Sequence, residues 1–311
     1  MKLAMVFPGQ GSQSVGMMAG YDAHPAVRQT FIEAGEVLAQ DLWALAADGP
    51  PEEINRTVNT QPLMLTADVA LYRAWRTAGG PEPAITAGHS LGEYAALVVS
   101  GALALADALP LVRFRAQAMQ EAVPAGTGAM AAVMGLDDPT LAAVCAEAAQ
   151  GQVVEPVNFN APAQIVIAGH REAVERAIAL AKTRGAKRGL LLPVSAPFHS
   201  SLLKPAAERL EAYLAKVELS APLIPVLHNV DVASAATPDA VRGALARQAA
   251  SPVRWADTMR AFAASGVTHI VECGPGAVLT GLAKRTVPEL TVYSTNDGDA
   301  LAAALTAIKE A

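Results

Sequence analysis

The sequence predicts an α/β protein: a largely parallel sheet carrying a smaller inserted subdomain. Three observations point there. Short apolar runs bounded by glycine and proline alternate with longer helical patterns at both ends of the chain. In the middle the rhythm changes to β-α-β-β-α-β, the order of a ferredoxin-like unit. A chain of 311 residues that is 52% hydrophobic and only 17% charged has ample apolar surface for a large core, and its length suggests about two domains.

Leu3 to Phe7 reads as a buried strand ending in a glycine-rich turn. Pro25 to Ala47 and Leu63 to Ala78 read as helices, Ala84 to Ala87 as a short buried strand, and another helix starts near Leu91. Gly128 to Met134 is then expected as a strand, and Pro139 to Gln150 as a helix with Asp138 available to cap it. Val153 to Asn158 and Gln164 to Ala168 follow as strands separated by Asn160-Ala161-Pro162. Arg171 to Arg184 is an amphipathic helix stopped by Gly185, and Lys187 to Val194 is another strand. The α/β pattern then resumes with helices at Ser201–Val217, Pro238–Ala249, Trp255–Ala264 and up to Val287, and with strands at Ile224–Val230 and His269–Cys273. The expected division is a discontinuous parent domain, residues 1–124 and 197–311, flanking a subdomain at 125–196.

Several classes are excluded. Lys plus Arg total 23 against 29 Asp plus Glu, a net charge of −6 with no basic block, so nucleic acid is not an expected partner. The mean hydropathy of +0.29 raises the question of a membrane. The longest uncharged apolar run, Tyr94 to Ala106, is shorter than the ~20 helical residues that span a bilayer, so no membrane partner is expected. The apolar N-terminus stops at Pro8-Gly9 and reads as a first strand rather than a signal peptide. Cys145 and Cys273 are isolated, without metal-ligand spacing. The expectation is two structural thiols in a cytoplasmic protein, with no metal or redox cofactor.

Gly88-His89-Ser90-Leu91-Gly92 matches G-x-S-x-G, with an apolar strand before it and a helix-compatible run after it. In that context it is a nucleophile elbow on an α/β-hydrolase-like core. The sharp turn exposes the Ser90 hydroxyl and aims a helix N-terminus at developing negative charge. A serine needs a base. Among the six histidines, His199 lies in the loop Ser195-Ala196-Pro197-Phe198-His199-Ser200-Ser201, where the insert returns to the parent domain and a cleft is expected. His228 reads as a core histidine in an apolar strand. The only aspartates between Ser90 and His199 are Asp107, Asp137 and Asp138, none of them after a parent-sheet strand. The sequence therefore favours a Ser-His pair whose imidazole is oriented by something other than an acid.

Together these residues resemble the malonyl-CoA:acyl carrier protein transacylase family of type II fatty acid synthesis. The resemblance is carried by Phe7-Pro8-Gly9-Gln10-Gly11-Ser12-Gln13, Gly88-His89-Ser90-Leu91-Gly92-Glu93 and Arg113-Phe114-Arg115. It continues through Asn158-Phe159-Asn160, Gln164 to Gly169, Pro197-Phe198-His199-Ser200, and Gln248 with Ser251-Pro252-Val253. It implies that Ser90 is acylated by malonyl-CoA and deacylated by the phosphopantetheine thiol of acyl carrier protein, with His199 as base and then acid. It also implies an oxyanion hole from the backbone N–H groups of Gln10 and Leu91, and a main-chain carbonyl at Gln248 that orients His199. Arg115 would clamp the malonyl carboxylate, since a guanidinium fork matches a carboxylate bidentately. Gln61, Asn158 and Asn160 are further candidates for polar pocket lining. Phe198 resembles the loop of polyketide acyltransferases that accept malonyl over methylmalonyl, its ring filling the space of an α-methyl.

An acidic carrier protein should meet a basic patch. The candidates are Lys182, Arg184, Lys187 and Arg188, or Lys204 with Arg209. Three alternatives remain open on the sequence alone: a serine esterase or thioesterase with the same elbow, a stand-alone polyketide acyltransferase, and a non-catalytic carrier-binding module.

Overall fold

The computed structural model describes residues 1–311 except Asp22, Ala23 and Ser195; Ser195, the first residue of the predicted histidine loop, therefore lies outside the described part. Strand β1 (Leu3–Phe7) is followed by helices α1 (Pro25–Leu38), α2 (Leu42–Asp48), α3 (Pro51–Ile54) and α4 (Thr57–Thr77). Then come β2 (Ile85–Gly88), α5 (Gly92–Val99) and α6 (Leu105–Glu121). A second group comprises β3 (Gly128–Met134), α7 (Asp138–Ala149), β4 (Val154–Ala161), β5 (Gln164–His170), α8 (Arg171–Thr183) and β6 (Arg188–Leu191). After a 3₁₀ turn at Ser201–Leu203 the chain forms α9 (Lys204–Leu214), β7 (Val226–Leu227), α10 (Pro238–Gln248) and α11 (Trp255–Ala264). It ends with β8 (His269–Glu272), α12 (Val278–Thr286), β9 (Thr291–Ser294) and α13 (Gly298–Glu310).

Two sheets result. The larger is wholly parallel, in the order β7-β2-β1-β8-β9. Its central strand β1 is buried along its whole length because both faces are covered. Leu3, Met5 and Phe7 face one apolar layer, while Ala4 and Val6 face the other. The smaller sheet is antiparallel in the order β4-β5-β3-β6, which is the ferredoxin-like arrangement. Helices α7 and α8 cover one of its faces through Leu141, Val144, Val174 and Ala177.

The differences from expectation are local and have causes. The helix expected at 25–47 is two helices, because Ala39 turns into a left-handed conformation (φ +50°) and Asp41 starts α2 by accepting from the Ala44 N–H at 2.8 Å. Helix α4 begins at Thr57 rather than at Leu63, with Pro62 accommodated inside it. Asp137, not Asp138, caps α7, accepting from the Thr140 N–H at 2.9 Å. Asn160 and Ala161 belong to β4, and the turn to β5 is only Pro162-Ala163. β7 is reduced to two residues, and β9 and α13 close the chain where no element was assigned. Among the described residues no helix is long and apolar enough to cross a membrane.

The smaller sheet is tied at β4 to the connection between α10 and α11. Val253, just before α11, donates its N–H to Val157 O at 2.8 Å and accepts from the Phe159 N–H at 3.0 Å. The segment after α10 thus adds to the edge of β4.

Candidate active site

Three chain reversals at the C-terminal ends of parallel strands build the site, the usual location for function in an open α/β sheet. β1 ends at Phe7 and delivers Gln10; β2 ends at Gly88 and delivers Ser90; β7 ends at Leu227 and delivers Asn229. Ser90 sits at φ +52°, a left-handed conformation that costs a non-glycine residue roughly 1–2 kcal/mol and keeps its hydroxyl out of the helix. The flanking glycines are sterically required. A Cβ on Gly88 would lie 1.9 Å from Gly92 C, one on Gly92 2.0 Å from Phe7 O, and one on Gly9 2.4 Å from His89 O. The elbow and the Gly9-Gln10 loop are therefore pressed together backbone to backbone. Neither Gln10 N–H nor Leu91 N–H has an acceptor among the described residues, so both remain available to an oxyanion.

Ser90 Oγ lies 2.7 Å from His199 Nε2, and His199 Nδ1 lies 2.9 Å from the main-chain oxygen of Gln248. A carbonyl accepts only, so Nδ1 carries the proton and Nε2 is left to take one from Ser90. No carboxylate touches the imidazole among the described residues. Burial, reinforced by the charge of Arg115, holds His199 down to about 3, so it is neutral at pH 7.

Arg115, on α6, is 2% exposed and has no carboxylate partner among the described residues. Its Nη1 donates to Gln61 Oε1 at 2.7 Å; its Nη2 donates to Gln248 Oε1 at 3.0 Å and to Ser90 Oγ at 3.1 Å. Tyr94 places its ring 5.4 Å from the guanidinium carbon. Gln61 reaches Arg115 because α4 starts early: its Nε2 donates to Thr57 Oγ1, one turn back, at 3.0 Å, and the Thr57 hydroxyl donates to Gln10 Oε1 at 3.0 Å. One chain of side chains thus links Gln10, Thr57, Gln61, Arg115 and Ser90.

A cavity of about 110 Å³ opens here, lined by Gln10, Gln61, Ser90, Leu91, Arg115, Asn158, Phe198 and His199. These are eight of the ten residues singled out from the sequence. The other two stand directly behind it. Gln248 contributes through the contacts above, its Nε2 also donating to Ser90 O at 2.9 Å, and Asn160 Oδ1 lies 2.8 Å from His89 Nε2. Asn158 Oδ1 is buried in the lining without a partner among the described residues. Phe198 packs against the apolar layers of both sheets.

Sequence reasoning missed several residues. His89, beside Ser90 in the motif, lines the pocket, with its ring 5.4 Å from that of Trp255. Met130, Leu192 and Val194, all from the smaller sheet or its exit, supply the apolar wall. Asn229 and Glu93 lie under the elbow. The available signal was the abrupt change from apolar β7 to His228-Asn229, a polar pair at a strand C-terminus.

Comparison with known proteins decides the family. The acyl transferase domain model matches residues 4–307. The chain belongs to the acyl transferase family. Within that family it is 57% identical over 305 residues to the malonyl CoA-acyl carrier protein transacylase of Escherichia coli K12, covering 98% of this chain and 99% of that one. The crystal structure of an acyl-carrier-protein S-malonyltransferase from Burkholderia pseudomallei 1710b superposes with a TM-score of 0.97 at 59% identity, covering 98% of this chain and 100% of that one. A malonyl-transacylase solved in complex with a type II PKS acyl-carrier protein superposes equally well, TM-score 0.97, at 51% identity over 99% and 100% of the two chains. An acyltransferase of this family needs a nucleophile, a base, an oxyanion hole and a selective acyl pocket, and the cavity has a candidate for each.

Proposed function

We propose that this acyl transferase moves a malonyl group from malonyl-CoA to the phosphopantetheine thiol of acyl carrier protein through a malonyl-Ser90 ester. The observation that carries the malonyl assignment is Arg115: a buried cation in hydrogen-bond contact with the nucleophile, surrounded by neutral oxygens. A buried charge without a counter-ion is costly, and a substrate carboxylate would supply the missing one. The names of relatives more than 50% identical over almost the whole chain support the same reading.

In this reading Ser90 Oγ attacks the thioester carbonyl while its proton passes to His199 Nε2. The carbonyl oxygen becomes an alkoxide that accepts from Gln10 N–H and Leu91 N–H. The tetrahedral species collapses, the C–S bond breaks, and the departing CoA sulfur takes the proton from His199. The carrier thiol then gives its proton to His199 and attacks the ester, and Ser90 leaves with that proton restored. Gln248 keeps the imidazole oriented by its carbonyl, which is why no third acid is required. Gln61 holds Arg115 ready for the carboxylate, Asn158 lines the pocket, Asn160 holds His89 from behind it, and the Phe198 ring occupies space that an α-methyl would need. One methyl discriminates by only about 1–3 kcal/mol, so Phe198 sets a preference rather than a barrier.

We further propose that residues 1–124 with 197–311 act as the catalytic unit and residues 125–196 as the subdomain that closes the acyl cleft. Free, buried Cys145 and Cys273 support a cytoplasmic setting. Mass spectrometry tests the function. Incubation with malonyl-CoA should add malonyl to Ser90, and subsequent carrier protein should receive it on its thiol. Label lost only to water would make the protein a hydrolase. A polyketide carrier as acceptor is a second reading, favoured by the relative solved with such a protein. Parallel assays with both carrier types separate the two.

A further inference from the structure

We propose that Asn229 is a positioning residue for the nucleophile, a side-chain bracket that fixes the elbow in its reactive shape, with Glu93 holding the bracket in place. The inference rests on Ser90 being the nucleophile. Asn229 is fully buried, directly after the short strand β7. Its Oδ1 accepts from the Ser90 N–H at 2.7 Å, and its Nδ2 donates to Gly88 O at 2.7 Å. The two contacts span the residue before and the residue after the turn, with His89 between them. A parallel neighbour strand would normally make such contacts with its backbone. β7 has run out by this point, and the asparagine amide continues the ladder.

The main chain of Asn229 is equally constrained. Its N–H donates to Glu93 Oε2 at 2.8 Å, and its carbonyl accepts from the Arg254 N–H at 3.2 Å. Glu93, fully buried in the first turn of α5, uses its other oxygen on His228 Nδ1 at 2.8 Å. The elbow helix therefore reaches across to hold the residue that holds the elbow.

Two consequences bear on chemistry. Ser90 needs φ +52°, and a bond to its own N–H from a fixed, buried partner stabilises that conformation against relaxation. Because the Ser90 N–H is occupied, the Leu91 N–H is left as the elbow amide free to meet an oxyanion. Only an asparagine of this length offers an acceptor and a donor together. Aspartate has the same shape but would set a carboxylate oxygen against Gly88 O.

The experiment compares wild type with Asn229→Asp, reading malonyl transfer kinetics and the rate at which an alkyl fluorophosphonate labels Ser90. The expected result is a fall in kcat and in labelling rate of about 10–100-fold, the scale of a misplaced reacting group, with KM for malonyl-CoA little changed because Arg115 is untouched. Glu93→Ala should show a smaller loss that Glu93→Gln, which keeps an acceptor for the Asn229 N–H, largely restores. A folded Asn229→Asp with wild-type kcat and labelling rate overturns the bracket, as does an effect confined to KM. Absence of fluorophosphonate label on wild-type Ser90 would instead overturn the nucleophile reading beneath it. Should Asn229→Asp fail to fold, amide exchange in the wild-type protein decides: a protected Ser90 N–H beside a fast-exchanging Leu91 N–H supports the bracket, and equally fast exchange at both overturns it.

Discussion

Arg115 concentrates the electrostatics of the site in one side chain. It is 2% exposed, its Nε has no partner among the described residues, and its hydrogen bonds go to Gln61, Gln248 and Ser90. Arg115→Ala should therefore reduce malonyl loading by roughly 100-fold or more while changing acetyl loading much less, because only the malonyl group carries a counter-charge. Single-turnover loading with the two acyl-CoA donors measures this, and equal losses would show the arginine to be a structural strut. The same cation helps make the fold acid-sensitive. His199 is lowered from 6.5 to about 3, chiefly by burial and then by Arg115. Between those values the unfolded chain binds a proton that the folded chain does not. The stability contributed by neutral His199 is thus complete above pH 6.5 and is lost as pH falls towards 3. His89, lowered by burial, acts in the same direction. Urea midpoints from pH 7.5 down to 4 should fall less steeply for His199→Gln than for wild type; identical slopes would assign the acid sensitivity elsewhere.

At the level of elements, the elbow is a steric construction before it is a chemical one. A methyl on Gly92 would overlap the backbone of β1 at Phe7 O, and backbone cannot step aside as a flexible side chain can. Gly92→Ala should destabilise the protein by about 3 kcal/mol or more, whereas Gly243→Ala in α10, with nothing within 4 Å, should be neutral or stabilising by up to about 1 kcal/mol. Chemical denaturation of the two variants checks the contrast; similar midpoints would contradict the packing argument. These glycines also show why much of the fold was legible in the sequence. β1, β2, β3 and β5 are apolar runs, and local glycines mark where the elbow turns, so pattern and structure agree. Elements whose limits depend on distant partners were harder to read. Pro62 resembles a helix start, yet α4 begins at Thr57 and runs through it, with almost the whole first half of the helix buried against distant elements. β9 is an edge strand of four residues, paired only with β8, and carries too short a pattern to stand out.

For the whole molecule, the decisive contacts lie far apart in the chain. Ser90 and His199 were legible because each sits in a short motif. Asn229 was harder to read: the polar pair His228-Asn229 ending an apolar strand is a weak local mark, and its partners Gly88 and Ser90 lie across the sheet. The same separation shapes the partner surface. The Val253–β4 contact ties the smaller sheet to the connection between α10 and α11, and β6 runs from the basic end at Lys187 and Arg188 towards Leu192 and Val194 in the cavity wall. Along an extended strand, Arg188 lies about 13 Å from Leu192. Of the predicted basic residues, Arg184 is paired with Glu147 and Arg209 with Glu121, whereas exposed Lys187 and Arg188 have no acidic partner among the described residues. Unpaired charge on the strand that leads into the cavity wall, on a chain of net charge −6, is a surface suited to steer an acidic carrier protein. Reversing both charges, Lys187→Glu with Arg188→Glu, should raise KM for the carrier protein about tenfold at low salt, with a smaller effect at high salt where screening already weakens the attraction. The half-reaction with malonyl-CoA alone should be unchanged, because neither residue lines the cavity. An unchanged carrier KM would move the docking surface elsewhere, with Lys204 beside the histidine loop the next position to reverse. Equal damage to both half-reactions would mean that β6 itself had been disturbed.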